Sequence, residues 1–105
     1  MVEHKLGLMI GDLKDNVPVA TSIGGRELAV VKIDGRIHVI DGRCSHKGGL
    51  LGKGHVDGGK IICPLHEGAF NVETGQADGN TPWVTDINTY IVRVDNSTGE
   101  IYVEF

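Results

Sequence analysis

The sequence predicts an all-β domain, a sandwich or barrel of short antiparallel strands. Three observations carry that reading. No segment keeps a 3.6-residue apolar period over three turns, whereas two-residue alternation recurs along the chain. Glycine- and asparagine-rich turn signals separate the alternating runs. The 105 residues, 40% hydrophobic and 23% charged, suit one domain covering residues 1–105.

The elements follow in order. Early strands are expected over Leu6 to Ile10 and Val17 to Thr21. Arg26 to Ile33 and Arg36 to Ile40 flank Asp34-Gly35, a two-residue hairpin signal. That register places Val30 opposite Val39, with Leu28 near the same face, and puts Val31 and His38 on the other. A second signal, Asp57-Gly58-Gly59, leads into an apolar strand from Lys60 to Cys63. Tyr90, Val92 and Val94 alternate with more polar neighbours. The turn DNSTG follows, and Ile101, Val103 and Phe105 form the last alternating run. The total is about eight to ten short strands, with residues 43–83 reading as a loop-rich insert.

Composition narrows the function classes. A formal charge of −4 argues against nucleic acid and anionic membrane as partners. No segment approaches the ~20 apolar residues of a membrane span. The amino-terminal run MVEHKLGLMIGDL lacks a cleavage-site pattern, so no signal peptide is expected. The chain has two cysteines, and if both bind metal none remains for a disulfide, which points to the cytosol. There is no GxSxG, P-loop or dinucleotide fingerprint, and no paired-carboxylate pattern for acid–base catalysis.

The chemistry lies in two short boxes. Cys44-Ser45-His46 and Cys63-Pro64-Leu65-His66 are separated by sixteen residues, and ten of the 16 glycines lie from Gly42 to Gly79. Thiolate and imidazole together suit zinc, copper or iron. Structural zinc fingers usually group two cysteines and then two histidines, or use four cysteines. Here each box supplies one of each. Two loops folded together would put both cysteines on one side and both histidines on the other, which fits a binuclear iron site.

The boxes, with Lys47-Gly48-Gly49 after the first, resemble the double motif of Rieske [2Fe-2S] proteins. The flanking strand pattern is similar too. The resemblance implies a small Rieske (ISP-like) antiparallel β-sandwich/barrel with a loop-rich cluster-binding subdomain. It implies one [2Fe-2S] cluster, with Cys44 and Cys63 on one iron and His46 and His66 on the other. Each histidine would keep a free ring N–H facing solvent, so reduction should become pH-dependent at alkaline pH.

Charge explains what such a centre does. Two thiolates neutralise the diferric core, whereas four would leave it at −2. The mixed centre therefore takes an electron more readily, at about −150 to +300 mV against about −400 mV. High-potential relatives join the two loops by a disulfide and place serine and tyrosine hydroxyls near the sulfurs. The matching positions here are Gly49 and Leu65 for the disulfide, and Gly68 and Phe70 for the hydroxyls. Without those donors reduction is less favoured, so a potential in the low part of the window is expected.

Other residues are read more plainly. Gly48, Gly49 and Gly68 would let backbone N–H groups turn toward sulfur, whereas Gly52, Gly54, Gly58 and Gly59 are read as turn glycines. Pro64 would fix the second box, and the segment from Ala77 to Trp83 resembles the loop covering the cluster's third side. Trp83 is expected in the core or in loop packing. Arg43, Lys47, Lys53 and Lys60 are read as a mildly basic solvated rim. His4, His38 and His55 are expected on the surface or a sheet face. The chain departs from the family at Leu50, where many members have proline, and at Glu67, where many have glycine.

The function expected from the resemblance is that of a Rieske-type ferredoxin, not itself an enzyme. It would be a monomeric one-electron carrier between a flavin-dependent reductase and a terminal oxygenase. The alternatives are a small subunit of an assimilatory nitrite reductase-like complex and a zinc-binding module. An oxygenase large subunit would need a downstream catalytic domain.

Overall fold

The computed structural model describes residues 2–45, 48–65 and 67–105. Among the described residues, nine strands and two 3-10 turns make up the fold. Six strands form one antiparallel sheet: β1 (Glu3–Met9), β9 (Glu100–Glu104), β8 (Thr89–Val94), β4 (Arg36–Asp41), β3 (Arg26–Ile33) and β2 (Val19–Ile23), in that spatial order. The other three, β5 (His55–Asp57), β6 (Lys60–Ile62) and β7 (Ala69–Asn71), make a small antiparallel sheet. The second 3-10 turn (Leu51–Lys53) and the small sheet lie between β4 and β8 and make up the inserted subdomain.

Local chemistry accounts for the hairpins. Asp34 and Gly35 sit at φ +51° and +78°, the two positive values that a type I′ turn needs. Val30 pairs with Val39 and Val31 with His38, the register that the alternation predicts. Gly58 and Gly59 turn the same way, at +58° and +78°, and pair Asp57 with Lys60.

Two predicted strands shift. β2 runs from Val19 to Ile23 because Gly24-Gly25, at φ +60° and +77°, forms a third turn of this type. That Gly-Gly pair was the missed signal. β1 runs from Glu3 to Met9 because its pairing with β9, Glu3 with Glu104 and Lys5 with Tyr102, decides its limits. Ile10 leaves the sheet for a 3-10 turn.

β3 is buried on both faces. Leu28 and Val30 pack with Val39, Ile101 and Val103 in one core. Ala29 and Val31 pack with Ile40, Leu51, Phe70 and the two cysteines in a second. Period two thus distributes one strand between two cores. The inserted subdomain rests on that second face, where Gly52 lets it approach β2, while Gly54 lets the subdomain pack closely within itself against β6. A Cβ on Gly52 would lie 2.4 Å from the Ala20 backbone, and one on Gly54 would lie 1.9 Å from the Ile62 carbonyl oxygen. The requirement at both is close packing, not turn chemistry.

Candidate metal centre

Two loops bring the cysteines together. After β4, the Gly42 amide donates to the Glu27 carbonyl at 2.9 Å, which seats the first loop on β3. The Cys44 amide then donates to the Gly49 carbonyl at 2.8 Å, and the Gly48 amide donates to the Cys44 carbonyl at 3.0 Å. The turn passes through Gly48 at φ +69°. The Arg43 guanidinium clamps this loop by donating to the Gly48 carbonyl at 2.8 Å while paired with Glu27.

The second loop closes in the same manner. The Cys63 amide donates to the Gly68 carbonyl at 2.8 Å. The Leu65 amide donates to Cys63 Sγ at 3.4 Å, an N–H turned toward sulfur. Glu67 holds φ +55°, a left-handed backbone at the position where the resemblance expects glycine.

Both cysteines are buried, at 4% and 0% exposure, and neither is in a disulfide. They share one apolar cluster with Leu51, Ile61, Phe70 and Val84. Burial pushes the Cys63 thiol up, the Leu65 amide draws it partly back, and the neighbouring Cys44 raises it again. Glycines leave the sulfurs room. A Cβ on Gly49 would come within 2.8 Å of Cys63 Sγ, and one on Gly68 within 3.7 Å of Cys44 Sγ. Two adjacent, unbridged sulfurs in an apolar shell fit a thiolate-bound metal group, because ligation supplies the charge that burial alone opposes. The expected ligands His46 and His66 lie outside the described residues, as does Lys47.

A third loop, residues 77–86, flanks the two cysteine loops. Its ends are joined by the Ala77 amide donating to Asp86 Oδ1 at 2.8 Å. Thr81 Oγ1 donates to the Asp78 carbonyl at 3.1 Å and accepts from the Ala69 amide at 3.4 Å. Ser45 Oγ donates to the Thr85 carbonyl at 2.8 Å and accepts from the Thr85 amide at 2.9 Å. The Val84 side chain reaches into the cysteine cluster, beside Gly68. Sequence reasoning missed Ser45, Thr81 and Asp86, whose partners lie up to 40 positions away.

The structure also places Trp83, the basic residues and the other histidines. Trp83 is 43% exposed, which excludes the core and leaves loop packing of its two expected places. Its Nε1 lies 3.6 Å from where a Gly68 Cβ would be. Two residues of the basic rim are charge-paired, Arg43 with Glu27 and Lys60 with Asp78. Lys53 is exposed. His55 is exposed and His38 half-buried. His4 stacks on Phe105 at a 4.0 Å ring separation, far along the chain from either box.

Residues 8–91 match the family model described as Rieske [2Fe-2S] domain. The chain belongs to the Rieske [2Fe-2S] domain family. Among curated relatives of this Rieske chain is the ferredoxin component of naphthalene 1,2-dioxygenase/salicylate 5-hydroxylase systems from Ralstonia sp. It is 36% identical over 87 residues, covering 83% of each chain. The solved ferredoxin of carbazole 1,9a-dioxygenase from Nocardioides aromaticivorans IC177 is 32% identical with a TM-score of 0.87. That match covers 98% of this chain and 97% of the other. A chain from a complex of reduced oxygenase and oxidized ferredoxin in carbazole 1,9a-dioxygenase is 29% identical with a TM-score of 0.84. It covers 97% of this chain and 92% of that one. No helix of the described residues of this Rieske chain is long and apolar enough to cross a membrane.

Proposed function

We propose that this chain is a Rieske-type ferredoxin, a one-electron carrier and not itself an enzyme, that delivers electrons to a terminal oxygenase. The observation that carries the reading is the pair of buried, unbridged cysteines on two loops closed alike, within a family whose similar members are named as ferredoxin components. In this reading Cys44, His46, Cys63 and His66 hold one [2Fe-2S] cluster, with both cysteines on one iron and both histidines on the other. When bound, the cluster supplies reversible one-electron chemistry. The protein's part is to hold and shield it. The closed loops keep the sulfurs fixed, Leu51, Phe70 and Val84 exclude water behind them, and the Leu65 amide lowers negative charge on Cys63.

The partners in this reading are a flavin-dependent reductase and an oxygenase, met through transient docking. The carrier is monomeric and cytoplasmic, and binds neither nucleic acid nor membrane. Leu65 and Trp83, at 47% and 43% exposure, border the cysteine loops and suit brief apolar contact.

The test is iron and acid-labile sulfide analysis with EPR of the dithionite-reduced protein. Two irons, two sulfides and a rhombic signal with a low average g are expected. A single metal ion without sulfide, in a colourless protein, would replace this reading with a zinc module.

A further inference from the structure

We infer that Ser45 is a positioning residue for the cluster, a latch that keeps the third loop closed over Cys44. The inference rests on the iron–sulfur reading and extends it to a residue that is not a ligand. Ser45 uses its one hydroxyl twice on a single residue, donating to the Thr85 carbonyl at 2.8 Å and accepting from the Thr85 amide at 2.9 Å. A side chain thus satisfies both backbone groups of Thr85, as a paired strand would.

The consequence comes from where the third loop is otherwise held. Its other bonds run to the second loop's side or back to itself. Asp78 donates its amide to the Ala69 carbonyl at 2.9 Å, and Ile87 donates to the Gly75 carbonyl at 2.8 Å. Among the described residues, no further hydrogen bond joins residues 43–54 to residues 77–87. Val84, one residue before Thr85, is 5% exposed and packs in the cluster that holds both cysteines. Its Cγ1 would be 2.6 Å from a Cβ on Gly68, and that same Cβ would be 3.7 Å from Cys44 Sγ. Releasing Thr85 therefore removes the first loop's hydrogen bonds to the segment that carries Val84, and loosens the layer that shields the Cys44 sulfur. Because Ser45 lies between Cys44 and His46, the latch also restrains the backbone of the first box.

The experiment compares loaded wild type, Ser45→Ala and Ser45→Thr for the rate at which an iron chelator bleaches the visible spectrum. Two lost hydrogen bonds predict roughly fivefold or more acceleration in the alanine variant. The threonine variant, which keeps the hydroxyl, should match wild type in bleaching rate and in EPR g values. Equal rates in alanine variant and wild type would overturn the inference, as would a threonine variant that behaves like alanine. If the alanine variant cannot be loaded, hydrogen exchange of the loaded wild type decides. Slow exchange at the Thr85 amide supports the latch, and exchange at the rate of an open loop rejects it. Wild-type protein lacking acid-labile sulfide would instead remove the iron–sulfur reading, an outcome that the Thr85 exchange rate does not mimic.

Discussion

Cys44 and Cys63 occupy equivalent backbone rings, each donating its amide at 2.8 Å to the carbonyl of the glycine five residues on. The two rings sit against one apolar cluster, so the sulfurs converge, while among the described residues Ser45, Pro64, Leu65 and Glu67 are exposed. This equivalence lets two short segments act as one metal-binding unit. It also makes the surroundings of each sulfur open to separate tests.

The first test concerns the potential. Phe70 is fully buried in the cluster containing both cysteines, and Gly68 has no side chain. Neither supplies a hydroxyl, so the midpoint should fall in the lower half of the about −150 to +300 mV window. Phe70→Tyr places a donor in that cluster. One hydrogen bond to a charged sulfur should raise the midpoint by about 50 mV or more, read by protein-film voltammetry.

Glu67 offers two separable effects. Its left-handed backbone at φ +55° strains a residue with a Cβ. Glu67→Gly should therefore stabilise the protein by about 1 kcal/mol, and Glu67→Gln should not. Both remove the same exposed carboxylate, so both should raise the midpoint, on the order of 20 mV. Urea unfolding and voltammetry on the three proteins separate backbone from charge.

Packing inside the inserted subdomain can be tested at its glycines. Gly54→Ala drives a methyl group into the Ile62 carbonyl. The expected loss is about 3 kcal/mol or failure to load, as for an overpacked core. Gly58→Ala meets nothing within 4 Å, and only its φ of +58° opposes it. That variant should lose about 1 kcal/mol. Urea midpoints would show the difference.

Lys60 and Asp78 join β6 to the third loop through a 2.6 Å ion pair. The Lys60 ammonium and then the Asn80 amide hold the Asp78 carboxyl below its usual range. A depressed folded-state value means that the contribution is present above the unfolded value, about 3.9. It is lost as pH falls through the folded one. Wild type should therefore be more stable than Asp78→Asn at pH 7, and the gap should close as the solution is acidified well below pH 4. Thermal unfolding across pH checks the sign.

Much was legible without coordinates. Alternation and Asp-Gly or Gly-Gly turns specify antiparallel hairpins locally, so the pairing of Val30 with Val39 is readable from the local pattern. The short spacings of Cys44 and Cys63 from histidines point to metal ligation, because reactive side chains so arranged constrain the chemistry strongly. The structure places Cys44 and Cys63 in one apolar cluster, and His46 and His66 lie outside the described residues.

The sequence alone determined the strand type, the turns and the two boxes, since each depends on neighbours a few positions apart. Only the tertiary structure decided what those elements meet. It buried β3 between two cores, pressed Gly52 and Gly54 against Ala20 and Ile62, neutralised Arg43 and Lys60, and tied Ser45 to Thr85. Those contacts join residues that are mostly far apart in the chain, and a local pattern carries no record of the partner that folding brings alongside.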